Sequence, residues 1–421
     1  MQTLNLPPLE LIIPGAYYDS QIYDGRLYLW TTDDSIITLD WDNLIHNISI
    51  DEKLKISLIL GFQYGEKLYK DLLFQDSEIQ ELLIEKFKNL SEQPIEVSNS
   101  VLDNYTIIEQ ENPLPFPHSD SYIHYGTVFV GSQSGVSASR CKYDRQTSLN
   151  PKSIKLWDAP VLSLSASHLT LALATGSEGL FDYSLVQRSG EKRNEPRSIS
   201  SEHSNFARWL YPGIFSSSYF NRGYFADFKE SKESQYSNEA IQLTLPLFED
   251  TSITKISSLE KDDVKIKKRE FQKTYQSNDI FDTRTNEQSS IFTWGSRDKI
   301  CLVTENSIEL VRCFPRKKEA QKFQSIGSVS GQYFPEDIVS ADSSFFGIVL
   351  EEEDSLLVIN SLRQQQRFLG EPVNWRVFPQ SRNYTNQLHI IYEDSIHIYS
   401  FNHDYFVDQK KKKIGMSFKT K

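Results

Sequence analysis

One pattern recurs along this chain and constrains its fold more than any other feature. Residues 169–185, "LTLALATGSEGLFDYSL", contain two short runs of apolar residues joined by Gly176, Ser177, Glu178 and Gly179. This arrangement is typical of a β-hairpin. Six further segments have the same form: 25–41, 126–140, 213–228, 298–314, 344–361 and 387–401.

The hairpins recur at a nearly constant interval. Between equivalent first-strand positions from Thr127 to Gln387, the gaps are 42, 45, 85, 46 and 42 residues. A unit of about 42 to 46 residues is the length of one four-stranded blade of a β-propeller. We therefore predict an all-β propeller of seven blades. Eight blades are the alternative, because 241–247 and 253–259 could form one more strand pair.

A helical insertion accounts for the 100-residue interval between the first two hairpins. The segment "SEIQELLIEKFKNL" has apolar residues at helical spacing, which predicts a small helix near 77–91. Ser77 and Gln80 have the spacing of a capping box at its start. We place the whole insertion at 63–100.

A charged insertion at 229–290, dense in Lys, Glu, Ser and Asn, accounts for the interval of 85 residues. We expect this polar segment to be partly disordered or helical. With a basic tail at 407–421, the chain is then a single propeller domain over 1–421. The alternative is two separate domains divided near 229–290.

The first strand of the chain has no blade of its own. This strand, "LELIIPG" at 9–15, is expected to pair with "IHIYSF" at 396–401 in the last blade. Pairing the two ends closes the ring and removes two exposed sheet edges. Residues 153–167 supply the outer strand of one blade and the inner strand of the next, and 373–380 supply another inner strand.

Two Trp-Asp pairs carry a resemblance to a known superfamily. The segments "LDWD" at 39–42 and "IKLWD" at 154–158 resemble the strand endings of WD-repeat propellers. The resemblance covers most of the chain as architecture and identifies no specific family. It implies a ring-shaped platform of the kind that commonly holds protein partners on its faces.

Net charge limits the class of partner. A formal charge of −12 disfavours a general nucleic-acid binder, because phosphate binding requires clustered Lys and Arg. Two local basic runs occur, at 265–273 and at Lys410 to Lys413, and both can be ordinary solvated segments. The second could instead make a weak contact with nucleic acid.

The cellular compartment is read from the cysteines and the apolar runs. Three cysteines without a paired spacing disfavour a disulfide framework or a thiolate zinc site. The longest apolar run, 56–62, is far shorter than a membrane-spanning helix. We expect a cytoplasmic protein without a membrane association.

Motifs for catalysis are not found in the sequence. Zinc-protease, GxSxG and phosphate-loop patterns do not occur. His389 and His397 could face each other across the last hairpin, and His118 with Asp120 in a Pro-rich loop could be functional. We nevertheless predict no catalytic residue, no cofactor and no metal site.

The hairpin turns carry the most informative polar residues. If the seven hairpins are equivalent, their turns emerge on one side of the ring, and five of the seven are acidic. The acidic residues are Asp33, Asp34, Glu178, Glu305, Glu351, Glu352, Glu353, Asp354, Glu393 and Asp394. They are either ordinary turn residues or a face that attracts a basic partner.

An aromatic segment offers a second candidate surface. Residues 206–228 contain nine aromatic residues together with Arg208 and Arg222. Trp209 and the two arginines are candidate interface anchors, although the same residue types fill the space between propeller sheets.

These observations predict a protein-interaction scaffold, sensor or regulatory subunit without enzymatic activity. We expect it to act as a monomer within a larger hetero-complex. The alternative is a hydrolase or lyase with its site at the central channel. A pocket on the ring axis with two or more convergent ionisable side chains would favour that alternative.

Overall fold

The repeated hairpins form the two central strands of seven antiparallel sheets in a computed structural model of the chain. The structure describes residues 6–142, 148–167, 169–185, 195–210, 213–218, 222–231, 268–282, 289–313 and 322–407.

The elements follow one another along the chain in this order. The first part contains β1 (Leu9–Pro14), β2 (Tyr17–Tyr23), β3 (Arg26–Thr31), β4 (Ser35–Asp40), α1 (Trp41–Asn47), α2 (Lys55–Gln63), α3 (Gly65–Lys70), a single 3-10 turn (Leu72–Gln75), α4 (Ser77–Leu90), β5 (Ile95–Glu96), α5 (Asn99–Tyr105) and β6 (Thr106–Glu111). The second part contains β7 (Asp120–His124), β8 (Thr127–Ser132), β9 (Gly135–Arg140), β10 (Ile154–Trp157), β11 (Ser163–Ser167), β12 (Thr170–Ala174), β13 (Leu180–Ser184) and β14 (Arg197–Ser200). The third part contains β15 (Phe206–Leu210), β16 (Gly213–Ser217), β17 (Gly223–Ser231), β18 (Lys268–Gln276), α6 (Ser277–Ile280), β19 (Phe292–Ser296), β20 (Lys299–Thr304), β21 (Ser307–Arg312) and β22 (Gln324–Ser330). The last part contains a 3-10 turn (Pro335–Asp337), β23 (Ile338–Ser344), β24 (Gly347–Glu352), β25 (Ser355–Asn360), β26 (Gln365–Leu369), β27 (Asn374–Val377), β28 (Gln387–Ile391), β29 (Ser395–Ser400) and a 3-10 turn (His403–Phe406).

Seven sheets arise from these strands, and each is one blade. Blade 1 consists of β2, β3, β4 and β6, and blades 2 to 6 each take the next four strands in order. Blade 7 consists of β27, β28, β29, β1 and β5. The predicted seven-bladed propeller is confirmed, and the additional strands considered at 241–247 and 253–259 lie outside the described residues.

The ring is closed by the N-terminal strand, as the sequence predicts. Strand β1 pairs antiparallel with β29, from Leu9 opposite Ser400 to Pro14 opposite Ser395. Strand β5 from the helical insertion then adds to β1 in parallel. Blade 7 therefore contains both ends of the described chain.

Apolar side chains fill the space between neighbouring blades. Among the described residues there are seven hydrophobic clusters, and each joins one pair of adjacent sheets around the ring. The cluster between blades 7 and 1 includes Leu11 and Leu29 and extends to the insertion through Trp41. Innermost strands such as β11, "SLSAS", carry small side chains, which suits the crowded axis of the ring.

Helices α1 to α5, between β4 and β6, make up the helical insertion, which therefore begins earlier than the expected 63–100, at Trp41. The expected strand ending at Trp41-Asp42 is wrong, because Trp41 is the first residue of α1 and the Asp40 carboxylate caps that helix. Trp41 is fully buried, and its indole Nε1 donates to the carbonyl of Phe62 at 3.0 Å. Trp157, by contrast, ends β10, the fourth strand of blade 2.

Helix α4 occupies the segment where the sequence predicts a helix, but its cap differs. The Asp76 carboxylate accepts hydrogen bonds from the backbone N–H groups of Glu78 at 2.9 Å and Ile79 at 3.2 Å. The predicted capping box of Ser77 and Gln80 is therefore wrong. Aspartate one residue earlier satisfies the same unpaired N–H groups and adds a favourable charge at the helix N-terminus.

The second insertion is only partly within the described residues. The segment 229–290 includes the end of β17, all of β18 and α6, and β18 is the outer strand of blade 4. Residues 232–267 and 283–288 lie outside the description, as do Lys410 to Lys413.

Candidate functional site: the acidic face and the central channel

Connections between strands divide the propeller into two unlike faces. In every blade the turn between the second and third strands lies on the same side as the connection from the fourth strand to the next blade. On the other side, the third-to-fourth connection of blade 1 carries helices α1 to α5. We call the first side the acidic face, for the residues given below.

Most of the predicted turn acids lie exposed on this face. The exposed set is Asp33, Asp34, Glu178, Glu305, Glu353, Asp354, Glu393 and Asp394. Each lies between the second and third strands of its blade. These turns all lie on one side of the ring because each joins the same two strands of its blade. The sequence shows the hairpins directly, so it could predict this shared side.

The run of four acids in blade 6 does not lie entirely in a turn, contrary to expectation. Glu351 and Glu352 are the last residues of β24 and are half-buried. Glu351 accepts a hydrogen bond from the indole Nε1 of Trp375 at 2.9 Å. Glu352 accepts from Ser355 Oγ at 3.1 Å and pairs with Arg367. These two carboxylates stabilise the blade, and only Glu353 and Asp354 project from the turn.

Further acids on the same face were not found by the sequence analysis. They follow the outer strands of five blades and are all exposed: Asp158, Glu202, Asp279, Asp282, Glu336, Asp337 and Glu371. Together with the turn acids they make fifteen exposed carboxylates. Within the described residues of these turns and connections, Arg222 is the sole lysine or arginine.

Exposed apolar side chains also occur on the acidic face, around blade 6. They are Phe334 at 53%, Val339 at 62%, Leu369 at 77% and Val373 at 46% exposure. All four lie in or next to the connections that enter and leave blade 6. Apolar side chains surrounded by charged ones are the usual composition of a protein interface.

The aromatic segment contributes less surface than expected. Trp209 is 2% exposed and packs its ring 5.1 Å from that of Phe228, so the prediction of Trp209 as a surface anchor is wrong. Alternation along β15 turns the neighbouring Arg208 toward the ring axis instead. Arg222 lies half-buried in the turn of blade 4.

A cavity of about 1110 Å³ occupies the ring axis. The innermost strand of every blade contributes to its lining. Four ionisable side chains from different blades meet there: Asp120, Arg208, Asp342 and Arg376. This is the observation that favours a site at the central channel.

Arg376 joins the last blade to the first two. Its Nε and Nη2 donate to the two oxygens of the Asp19 carboxylate at 2.8 and 2.9 Å. Its Nη1 donates to Asp120 Oδ1 at 2.7 Å. Such paired, charge-assisted hydrogen bonds are among the strongest in proteins. Arg376 thus connects blades 7, 1 and 2 across the point where the ring closes.

Asp19 is fully buried and has several donors. Besides Arg376, the ring Nε2 of His118 lies 2.8 Å from Asp19 Oδ2, and Ser121 Oγ donates to the same oxygen at 2.5 Å. Burial opposes ionisation of Asp19, but Arg376 and His118 favour the carboxylate more strongly, so its pKa lies below the usual range. For Asp120, burial also opposes ionisation, but Arg376 and Arg208 outweigh it. The pKa of Asp120 therefore also lies below its usual value.

Arg208 is shared between two carboxylates, and neither contact is short. Its Nη1 lies 3.4 Å from Asp120 Oδ2, and its Nε lies 3.8 Å from Asp342 Oδ2. Burial raises the pKa of Asp342, and Arg208 only partly offsets this effect. Asp342 is therefore the least compensated carboxylate of the channel.

A short repeat in the sequence could have revealed part of this network. The pattern Asp-Ser-x-Ile-x-x-Gly occurs at 19–25 and again at 120–126. In both blades the aspartate accepts a hydrogen bond from the backbone N–H of the serine that follows it. Equivalent positions in two blades converge on the axis, so a repeated aspartate there predicts paired carboxylates.

The two histidines of the last hairpin do not face each other. His389 lies opposite Ile398, and His397 lies opposite Ile390, so the two rings project from opposite faces of the sheet. His389 is buried beside Ser20, and burial lowers its pKa to about 3. His397 instead lies 2.8 Å from Glu10 on β1.

Comparison with known proteins identifies no family for this chain. No family model matches the chain, and no curated protein matches it. Among solved structures, the Neurospora crassa Pan2 WD40 domain is 8% identical, covering 96% of this chain and 97% of that one, with a TM-score of 0.45. The computationally designed Ika8 protein is 9% identical over 94% and 100%, with a TM-score of 0.42. The AfRom2 CNH domain is 11% identical over 67% and 94%, with a TM-score of 0.36.

These similarities are too low to support an argument about activity or partners. The assignment to seven-bladed β-propellers depends instead on the seven sheets themselves. Across the described ranges, the structure contains no helix long and apolar enough to cross a membrane. Nor does the described part of the chain bring together three His, Cys, Asp or Glu side chains as metal ligands.

Proposed function

We propose that this protein is an interaction platform that binds a basic protein partner through its acidic face. In this role it would be the scaffold, sensor or regulatory subunit of a hetero-complex, without catalytic activity of its own. The single observation that carries the proposal is the ratio of fifteen exposed carboxylates to one arginine among the described residues of that face.

Such a face attracts a partner of opposite charge. Carboxylates spread over one side of a rigid ring produce a negative potential that accelerates encounter with a basic surface. The exposed apolar side chains around blade 6, Phe334 and Leu369 among them, would then supply the contact area that long-range charge cannot. A basic segment with an apolar residue therefore fits this surface best.

The cysteines support a reducing compartment, which we propose to be the cytoplasm. All three thiols, Cys141, Cys301 and Cys313, are free and buried. Cysteines of this kind act as small apolar core residues and need no oxidising environment.

The proposal is tested by removing charge without changing shape. One variant replaces five acids around blade 6: Glu336→Gln, Asp337→Asn, Glu353→Gln, Asp354→Asn and Glu371→Gln. Glu351 and Glu352 stay, because they stabilise the blade. A matched control makes the same change in charge on the helical insertion: Asp51→Asn, Glu52→Gln, Glu81→Gln, Glu85→Gln and Glu92→Gln.

Affinity purification from the native cell then compares the parent with both variants. We expect basic proteins retained by the parent and by the control to be lost from the blade 6 variant. Added salt should release them from the parent as well, because exposed charges are screened. If the blade 6 variant retains every protein that the parent does, the proposal fails.

A channel enzyme of hydrolase or lyase type is the second candidate. It is favoured by the convergence of Asp120, Arg208 and Asp342 on one cavity. Against a catalytic role for the whole network, Asp19 and Arg376 bind each other at close distance. Turnover of ester or lyase substrates that is abolished by Asp342→Asn would establish this candidate and displace the first.

A further inference from the structure

We propose that the central channel binds a small organic cation, a primary ammonium or guanidinium compound, with Asp342 as its counterion. This site lies within the channel, whose cavity shares Val339 and Val373 with the acidic face, but it does not depend on the proposed interaction with a protein. Space, charge and the lining side chains each support it.

The cavity is large enough for an organic ligand. Its volume of about 1110 Å³ lies just above the usual range of small-molecule sites, about 300 to 1000 Å³. Rigid inner strands of all seven blades form its walls, so the site is preformed. A ligand would therefore bind without ordering a loop, which lowers the entropic cost of binding.

Charge beside Asp342 favours a cation. The described lining carries four carboxylates (Asp24, Asp120, Asp342 and Glu351) and four guanidinium groups (Arg208, Arg297, Arg376 and Arg382), so the preference is local to Asp342. Arg376 donates to Asp120 and to the buried Asp19 at distances of 2.7 to 2.9 Å. Asp342 is the most weakly paired of these three aspartates, because its nearest cationic atom, Arg208 Nε, is 3.8 Å away.

Asp342 and its neighbours present the right chemistry to an ammonium group. The carboxylate of Asp342 accepts the backbone N–H of Ser343 at 2.6 Å, which fixes its orientation. Tyr122 lines the same cavity, and no hydrogen-bond partner for its hydroxyl occurs in the described ranges.

Calorimetric titration tests the site with defined probes. Phenethylamine, cadaverine and agmatine supply ammonium or guanidinium groups, and 2-phenylethanol is a neutral comparator of similar shape. We expect at least one amine to bind the parent protein in the millimolar range or better, and the alcohol to bind more weakly. Asp342→Asn should weaken the amine at least tenfold, or ~1.4 kcal/mol. Asp354→Asn, on the acidic face, should not.

Two further measurements keep the test decisive. Tyr122→Phe retains the ring and should reduce amine affinity several-fold with no change in melting temperature. Asp342→Asn should still retain basic proteins through the acidic face, so failure of one proposal is distinguishable from failure of the other. The proposal is overturned if no amine binds, if the alcohol binds as tightly, or if Asp342→Asn retains the parent affinity.

Discussion

Arg376→Ala is predicted to weaken the closure of the propeller more than any surface substitution. The change removes three hydrogen bonds of 2.7 to 2.9 Å and leaves two buried carboxylates without their main cation. Removing one partner of a buried ion pair typically costs about 3 to 5 kcal/mol. Asp19 retains His118 and Ser121, and Asp120 retains Arg208 at 3.4 Å, so we expect the lower end of that range.

The expected shift in melting temperature follows from the size of the chain. Unfolding entropy scales with length, so 1 kcal/mol corresponds to ~1 °C for a protein of 421 residues. Arg376→Ala should therefore melt ~3 to 4 °C below the parent, as measured by calorimetry at neutral pH. Arg367→Ala is the matched control. Its side chain is 45% exposed and pairs with Glu352, and surface pairs contribute only about 0 to 1 kcal/mol.

Acidification supplies a second and independent check on the same variant. In the parent, the pKa of Asp19 lies below its unfolded value, so its contribution to stability is present above about pH 4 and is lost as the pH falls further. Without Arg376, burial favours the neutral form of Asp19. Protonation of Asp19 therefore stabilises the folded variant as the pH falls. The difference in melting temperature should narrow between about pH 7 and pH 4. A variant within ~1 °C of the parent, or a difference that widens in acid, would refute the reasoning.

Three other predictions concern the core and the ring. Gly135→Val should lower the free energy of unfolding by about 1 to 3 kcal/mol in a denaturant titration, because φ is +116° and a Cβ would lie 2.0 Å from the carbonyl oxygen of Trp157; unchanged stability would contradict the described turn. All three thiols should resist a thiol reagent until denaturant is added, because burial raises the pKa of each, to about 11 for Cys141 and about 12 for Cys301. Proteolysis within 232–267 should leave one particle on size exclusion, because strands β17 and β18 on either side belong to the same sheet; two separable fragments would restore the two-domain alternative.

The sequence predicts the ring because its central strands have a strong local pattern. Strand β8, "TVFVGS", is buried along its whole length, and such strands are bounded by turn residues that the sequence displays directly. Outer strands are different: in β22 most residues are exposed, so no apolar alternation indicates where the strand ends. The acids that follow outer strands, such as Glu336, could not be assigned to a face for that reason.

The channel network could not be derived from local patterns at all. Arg376 and Asp19 are separated by 357 residues, and only the closure of the ring brings them together. Sequence reasoning identified His118 and Asp120 as a pair in a loop, whereas His118 binds Asp19 in the neighbouring blade. The repeated Asp-Ser-x-Ile-x-x-Gly was the available signal, and it becomes informative only once equivalent blade positions are known to meet on the axis.

Strand β1 has a consequence for how this protein is made. Leu9 is translated 391 residues before its partner Ser400 (400 − 9). Blades 2 to 6 are contiguous in sequence and can form during elongation, whereas blade 7 must wait until β27, β28 and β29 have been made. Until then the edge of β1 that faces β29 is unpaired, and a chaperone or a neighbouring nascent chain has its best opportunity to bind it.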